Sequence, residues 1–201
     1  MSRKTKLLLL SLVFLVGLAW FARDVLLESL GQYLTTAKSE SDSNADYALI
    51  PASDYIRSGV NLETIEEAAR LQRTGKVKQI AMTCPDMYGV SECGLAEKAL
   101  RARGYSGTHL EWVRTVPLPD EIEANIAVRW LMARGAKSAF ILLPNYKARR
   151  LGGVYRRLCA QSTLEVKVLK QSGEFDPRNW WRSRPGQKRF AEEVVRMMRL
   201  L

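Results

Sequence analysis

From Tyr47 to the carboxyl end, five short apolar runs alternate with five stretches of helical spacing. Tyr47–Ile50, Val77–Thr83, His109–Val116, Ser138–Leu143 and Leu164–Leu169 read as strands. Leu62–Thr74, Ser91–Arg103, Asp120–Arg134, Tyr146–Ala160 and Pro185–Leu201 read as helices. Asn61 is a possible first cap, Gly75, Gly104 and Gly135 are stop signals, and Pro185 lies in a first turn. Regular strand–helix alternation predicts an α/β fold. In it, a three-layer, Rossmann-like parallel sheet carries helices on both faces, joined by right-handed crossovers. Ligands of such sheets bind beyond the carboxyl ends of the strands. The segments of interest are therefore 51–60, 84–92, 116–123 and 144–150.

The first 35 residues have a different character. Arg3, Lys4 and Lys6 precede a run from Leu7 to Ala22 that contains no charge. Sixteen helical residues rise about 24 Å, and Val25, Leu26 and Leu27 extend the run if Arg23 snorkels. That length approaches a hydrocarbon core of about 30 Å. The expectation is an N-terminal transmembrane helix over about 7–27 within an anchor of residues 1–35. The basic lead would keep the amino terminus in the cytosol and send the rest across. A cleaved signal peptide is the competing reading. It requires small residues where Trp20 and Phe21 stand, which favours the uncleaved anchor. Residues 36–45 are polar and aperiodic and read as a linker to a domain spanning 46–201.

The chain carries a net charge of +10, unevenly spread. Residues 24–145 have a net of −3 and residues 146–201 a net of +9. A basic final third outside the cytosol argues against nucleic acid. It suits the membrane surface, lipid-linked precursors or other anionic envelope ligands; a solvated basic face is the alternative. Three Cys and one His argue against a zinc site or His-based metal chemistry, so no metal or cofactor is expected.

An anchor, a linker and then Ala45-Asp46-Tyr47-Ala48-Leu49-Ile50 resemble the start of the YdcF/SanA/ElyC family of bacterial envelope proteins. The resemblance continues at Ala68–Gly75, at Ser91-Glu92 with Leu100 and Gly104, at Asp120–Glu123, at Ala139–Arg150 and at Phe175–Arg184. It implies an inner-membrane protein with its domain on the extracytoplasmic side and a role in envelope maintenance. It also implies departures from the family pattern. The family's Gly-Gly after the first strand is Pro51-Ala52-Ser53 here, its Ser-Gly-Gly is Thr83-Cys84-Pro85, and its histidine aligns with Lys147. A pocket that keeps carboxylates but lacks phosphate-cradling glycines suits a binding or scaffold module of an envelope complex, with possible protein partners, as well as an enzyme.

Glu92 and Glu123 each open a helix that follows a strand. There they can act as acid or base, or simply complement the helix dipole. Asp120 joins this set of candidate catalytic carboxylates and also reads as an N-cap; Glu121 is expected to be exposed. Were the protein an enzyme, these groups would serve hydrolysis or transfer at a phosphate or glycan linkage. Asn145, Tyr146, Lys147, Arg149 and Arg150 cluster where a helix begins, a setting for anion binding. Ser53 and Cys84 complete the candidate ligand-binding set. Cys84 and Cys93 are read as a disulfide or as free thiols, with Cys84 as a nucleophile the third reading. Cys159 is expected to be buried packing, His109 to end a strand, and Trp180-Trp181 to pin the tail or to face a membrane interface or a sugar.

Overall fold

The computed structural model describes residues 3–36, 43–51, 62–85, 92–105, 110–115, 118–171, 173 and 175–199. For residues 3–11, 19, 21, 62, 85, 92, 93 and 95 the backbone alone is described. The leading helix α1 spans Arg3–Thr35. It is followed by β1 (Ala45–Ile50), α2 (Leu62–Arg73), β2 (Val77–Pro85), α3 (Glu92–Ala102), β3 (Glu111–Thr115) and α4 (Asp120–Ala133). Then come β4 (Ser138–Pro144), a 3-10 turn (Asn145–Lys147), α5 (Ala148–Cys159) and β5 (Glu165–Gln171). A second 3-10 turn (Trp180–Arg182) leads into α6 (Arg184–Met198).

All five strands are parallel and lie in the order β3-β2-β1-β4-β5. The expected parallel sheet is therefore present. β4 shows why these runs form interior strands. Phe140 and Leu142 face one layer, Ala139, Ile141 and Leu143 face the other, and all five are buried. A strand covered on both sides reads as continuous apolar sequence rather than as alternation. α2 and α3 pack on the first face through Ile65, Ala68, Leu71, Ala96 and Leu100. α4 and α5 pack on the second through Ala124, Ala127, Leu131, Leu151 and Tyr155.

The helix stops follow one device. Gly75, Gly104 and Gly135 adopt φ of 70, 84 and 70°. The next residue's amide then reaches back to the helix, as in Ala136 N to Leu131 O at 2.9–3.1 Å spacing typical of these turns (3.1 Å here). Glycine adopts this conformation without the Cβ penalty that most residues meet there.

Chain order reverses between β1 and β4. β1, β2 and β3 run outward in one direction, and the chain then returns through α4 to β4 and β5 on the other side of β1. A crevice opens at such a reversal, bordered here by Ile50-Pro51 and Pro144-Asn145.

A third, smaller apolar cluster departs from the expected tethered arrangement. Leu34, Phe175 and Trp180 are buried together, with Leu27, Tyr146, Trp181, Phe190 and Met197 against them. The last turns of α1 thus pack on the tail of the chain. Gly31 is the point of closest approach: a Cβ there would lie 2.3 Å from the Pro177 carbonyl oxygen and 2.7 Å from Trp180.

The expected transmembrane helix is not found among the described residues, where no helix is long and apolar enough to cross a membrane. Positions 7–11 of the apolar run are outside the described side chains. Within the described part of the run, Leu12–Val16, Leu18, Trp20, Val25 and Leu26 are all exposed.

Candidate functional site

The carboxyl edge of the sheet, on the α4/α5 side, gathers most of the described candidate residues. Thr83 shares the parity of Ala81 and so points toward α4, where its hydroxyl donates to Glu123 Oε1. Both side chains are buried. Glu123 sits in the first turn of α4, so the helix dipole favours its charge. Cys84, of opposite parity, is disulfide-bonded and therefore presents no thiol nucleophile. Of the two main readings, free thiols and a bridge to Cys93, the first does not hold for Cys84; the Cys93 side chain lies outside the described residues.

Arg150 is the centre of the site. Its guanidinium meets Glu193 twice, Nε to Oε1 at 2.5 Å and Nη2 to Oε2 at 3.2 Å. Nη2 also donates to Asp120 Oδ2 at 2.6 Å, and Nη1 donates to Glu121. Asp120 in turn receives Arg196 at 3.0 Å and lies 3.7 Å from the Lys147 ammonium. Lys147, Arg150 and Glu193 are almost fully buried. Three cations thus face three carboxylates contributed by α4, the 3-10 turn, α5 and α6. The planar fork of arginine suits such multidentate pairing.

The electrostatics follow from this geometry. Burial disfavours the Asp120 carboxylate, but Lys147, Arg150 and Arg196 outweigh it and hold the group below its ordinary value. For Glu193 burial prevails over Arg150, and its carboxyl is pushed up. Burial also opposes the charge on Arg150, yet Glu193 and Asp120 more than compensate. The cation stays charged at any accessible pH.

Two expectations change here. The N-cap of α4 is Pro119, which has no capping side chain, and Asp120 is spent on Arg150 and Arg196 instead. The reason is competition: a cation pair at a buried position outweighs a single backbone amide. Glu121, expected to be exposed, is part of the same cluster.

Arg149 and Arg150 diverge although they are adjacent. Arg149 leaves the cluster and lies 3.5 Å above the Tyr33 ring of α1. None of the described contacts joins it to Glu123. Tyr146 faces Phe175 with ring centroids 5.9 Å apart, and Arg189 lies 5.7 Å from its ring. Asn145, at the reversal of chain order, donates Nδ2 to the Phe175 carbonyl at 2.8 Å. Its Oδ1 is buried and meets no hydrogen-bond partner among the described residues, leaving an acceptor for a ligand hydroxyl or amine.

Glu92 begins α3, but its side chain lies outside the described residues, and so do Ser53, Asn61 and His109. Among the described residues no cluster of three or more His, Cys, Asp or Glu has the arrangement of a metal site. Cys159 is buried and free. Trp180 pins the tail, stacking on Phe190 with centroids 3.8 Å apart.

Sequence reasoning missed Glu193 and Arg196. Glu193 follows Glu192 in a helix of strongly charged composition, and only its place among Phe190, Val194 and Met197 hinted at burial.

No protein-family model, curated protein or solved structure matches this chain.

Proposed function

We propose that this is a single-pass, membrane-anchored bacterial envelope protein. Its α/β body stands on the extracytoplasmic side and binds an anionic, phosphate-bearing or lipid-linked ligand at the carboxyl edge of the sheet. The observation that carries the reading is the split character of α1. Its last turns are docked on the body through Gly31 and Leu34, while Leu12–Val16, Leu18, Trp20, Val25 and Leu26 are uncovered. A contiguous apolar surface of this extent on one helix needs a non-aqueous partner, and a basic lead before it orients the helix. The disulfide at Cys84 suits an oxidising compartment.

Binding is favoured over turnover. Arg150 is committed to internal carboxylates and Glu123 to Thr83, and the phosphate-cradling glycines of the resembled family are replaced. Hydrolysis or transfer at a phosphate or glycan linkage is the second reading, with Glu92 and Glu123 moving protons.

Titration of the full chain in neutral micelles with a polyprenyl phosphate, and with the same polyprenol lacking phosphate, tests the proposal. Saturable binding of the phosphate form alone is expected. Equal response to both lipids, or to neither, overturns it. Phosphate release abolished by Glu92→Ala with Glu123→Ala would select the second reading.

A further inference from the structure

The tail segment that clasps α1 does so at one particular height. Asp24 lies in the last turn of the span expected over about 7–27, and Leu27 lies at its end. Arg182 reaches Asp24 at 3.5 Å, and the Trp180 indole donates to the Leu27 carbonyl at 2.8 Å. On the anchored reading, on which this inference rests, a headgroup layer occupies roughly 5–8 Å beyond the hydrocarbon. The second 3-10 turn meets α1 where that layer begins. By contrast, Arg149 meets Tyr33 about 9 Å beyond Leu27, clear of the headgroups.

The composition at that height matches a membrane interface. Arg178, Arg182, Arg184 and Lys188 are exposed. Among the described residues Arg184 and Lys188 form no ion pair, Arg178 lies near the exposed Asp176 carboxylate, and the Arg182–Asp24 pair is open to solvent on both sides. Trp181 is half-buried beside Trp180 at 6.0 Å, and the Arg182 guanidinium lies 5.9 Å from its ring. One helical turn closer to the membrane, Trp20 is exposed with Arg23 5.0 Å over its ring. Tryptophans beside arginines are the residue types that collect where hydrocarbon meets headgroups. Exposed cations there attract anionic lipid, each contributing through a field that decays within a screening length.

We propose that residues 177–188 form a second, reversible membrane contact. In it Arg178, Arg182, Arg184 and Lys188 hold the phosphates of anionic lipids in the leaflet that α1 enters. The contact is distinct from the candidate ligand site at the sheet edge. It fixes the tilt of the body, because the same segment is bonded to α1 on one side and to lipid on the other.

Amide hydrogen exchange on the full chain in lipid nanodiscs tests this. Discs of phosphatidylcholine alone are compared with discs containing roughly one third phosphatidylglycerol. The expected result is that amides 178–190 exchange at least about threefold more slowly with the anionic lipid. The difference disappears in about 1 M salt, where the screening length is about 3 Å. It also disappears in the Arg178→Glu, Arg182→Glu, Arg184→Glu variant, whose sheet amides remain protected as in the parent. Equal exchange of 178–190 in both discs, with residues 12–22 protected by lipid, overturns this inference and leaves the anchor standing. Rapid exchange of residues 12–22 in either disc overturns both.

Discussion

The Trp180 indole nitrogen lies 2.8 Å from the Leu27 carbonyl oxygen, across 153 residues of chain. That bond ties the leading helix to the tail, and Gly31, one turn on, lets the two backbones approach. The body is held to α1 directly and not only through the connecting segment.

Replacing Gly31 by leucine therefore opens the joint without unfolding the sheet. Its side chain would displace the Pro177 backbone and the Trp180 ring, and neither can yield without losing the Leu34–Phe175–Trp180 cluster. Red-shifted tryptophan emission and several-fold faster proteolysis near residue 36 are expected. β-sheet amides should exchange as before, because their core is formed by other residues. Unchanged emission and proteolysis would show that the joint does not depend on this approach.

Arg150 and Glu193 join α6 to the body from within. Arg150→Met leaves Glu193 buried without its main partner and takes one of three cations from Asp120, which costs about 3–5 kcal/mol in chemical denaturation. Adding Glu193→Leu removes one stranded charge and should recover more than half of that loss. A double variant no more stable than Arg150→Met would contradict the pairing.

Acid sensitivity follows from Asp120. Its carboxyl is held below the ordinary value of 3.8 by Lys147, Arg150 and Arg196, against the opposing effect of burial. The unfolded chain therefore takes up this proton at higher pH than the folded one. The contribution to stability is complete above about pH 5 and declines as pH falls below about 4. Asp120→Asn should be less stable by about 3 kcal/mol at pH 6, and the gap should narrow as pH drops below 4. Glu193, pushed up by burial, acts oppositely and weakens the fold as pH rises above its ordinary 4.5. A gap between parent and Asp120→Asn that widens in acid would refute the assignment.

Much of the fold is legible in local chemistry. Ser138–Leu143 announces an interior strand because both faces are covered, and Gly135 announces a helix end because glycine meets no Cβ penalty in its backbone conformation. The sites are less legible because their partners are remote. Nothing near Arg150 points to Glu193, which lies 43 residues away. The adjacent arginines look equivalent as sequence, yet helical geometry turns Arg149 to Tyr33 and Arg150 to the carboxylates. The 3-10 turn at Asn145–Lys147 merges, from Tyr146 on, into one long helix when read as sequence, because no break separates it from Ala148–Cys159. Asp120 has the right identity for a cap, and only the cations around it divert it.

The account depends most on which side of the membrane the α/β body occupies. Alkaline phosphatase fused after Leu201 of the full chain, expressed in bacteria beside a matching green fluorescent protein fusion, reads this directly. The phosphatase fusion should be active and membrane-bound, and the fluorescent fusion dark. An inactive phosphatase with a bright fluorescent partner would place the body in the cytosol and contradict the account.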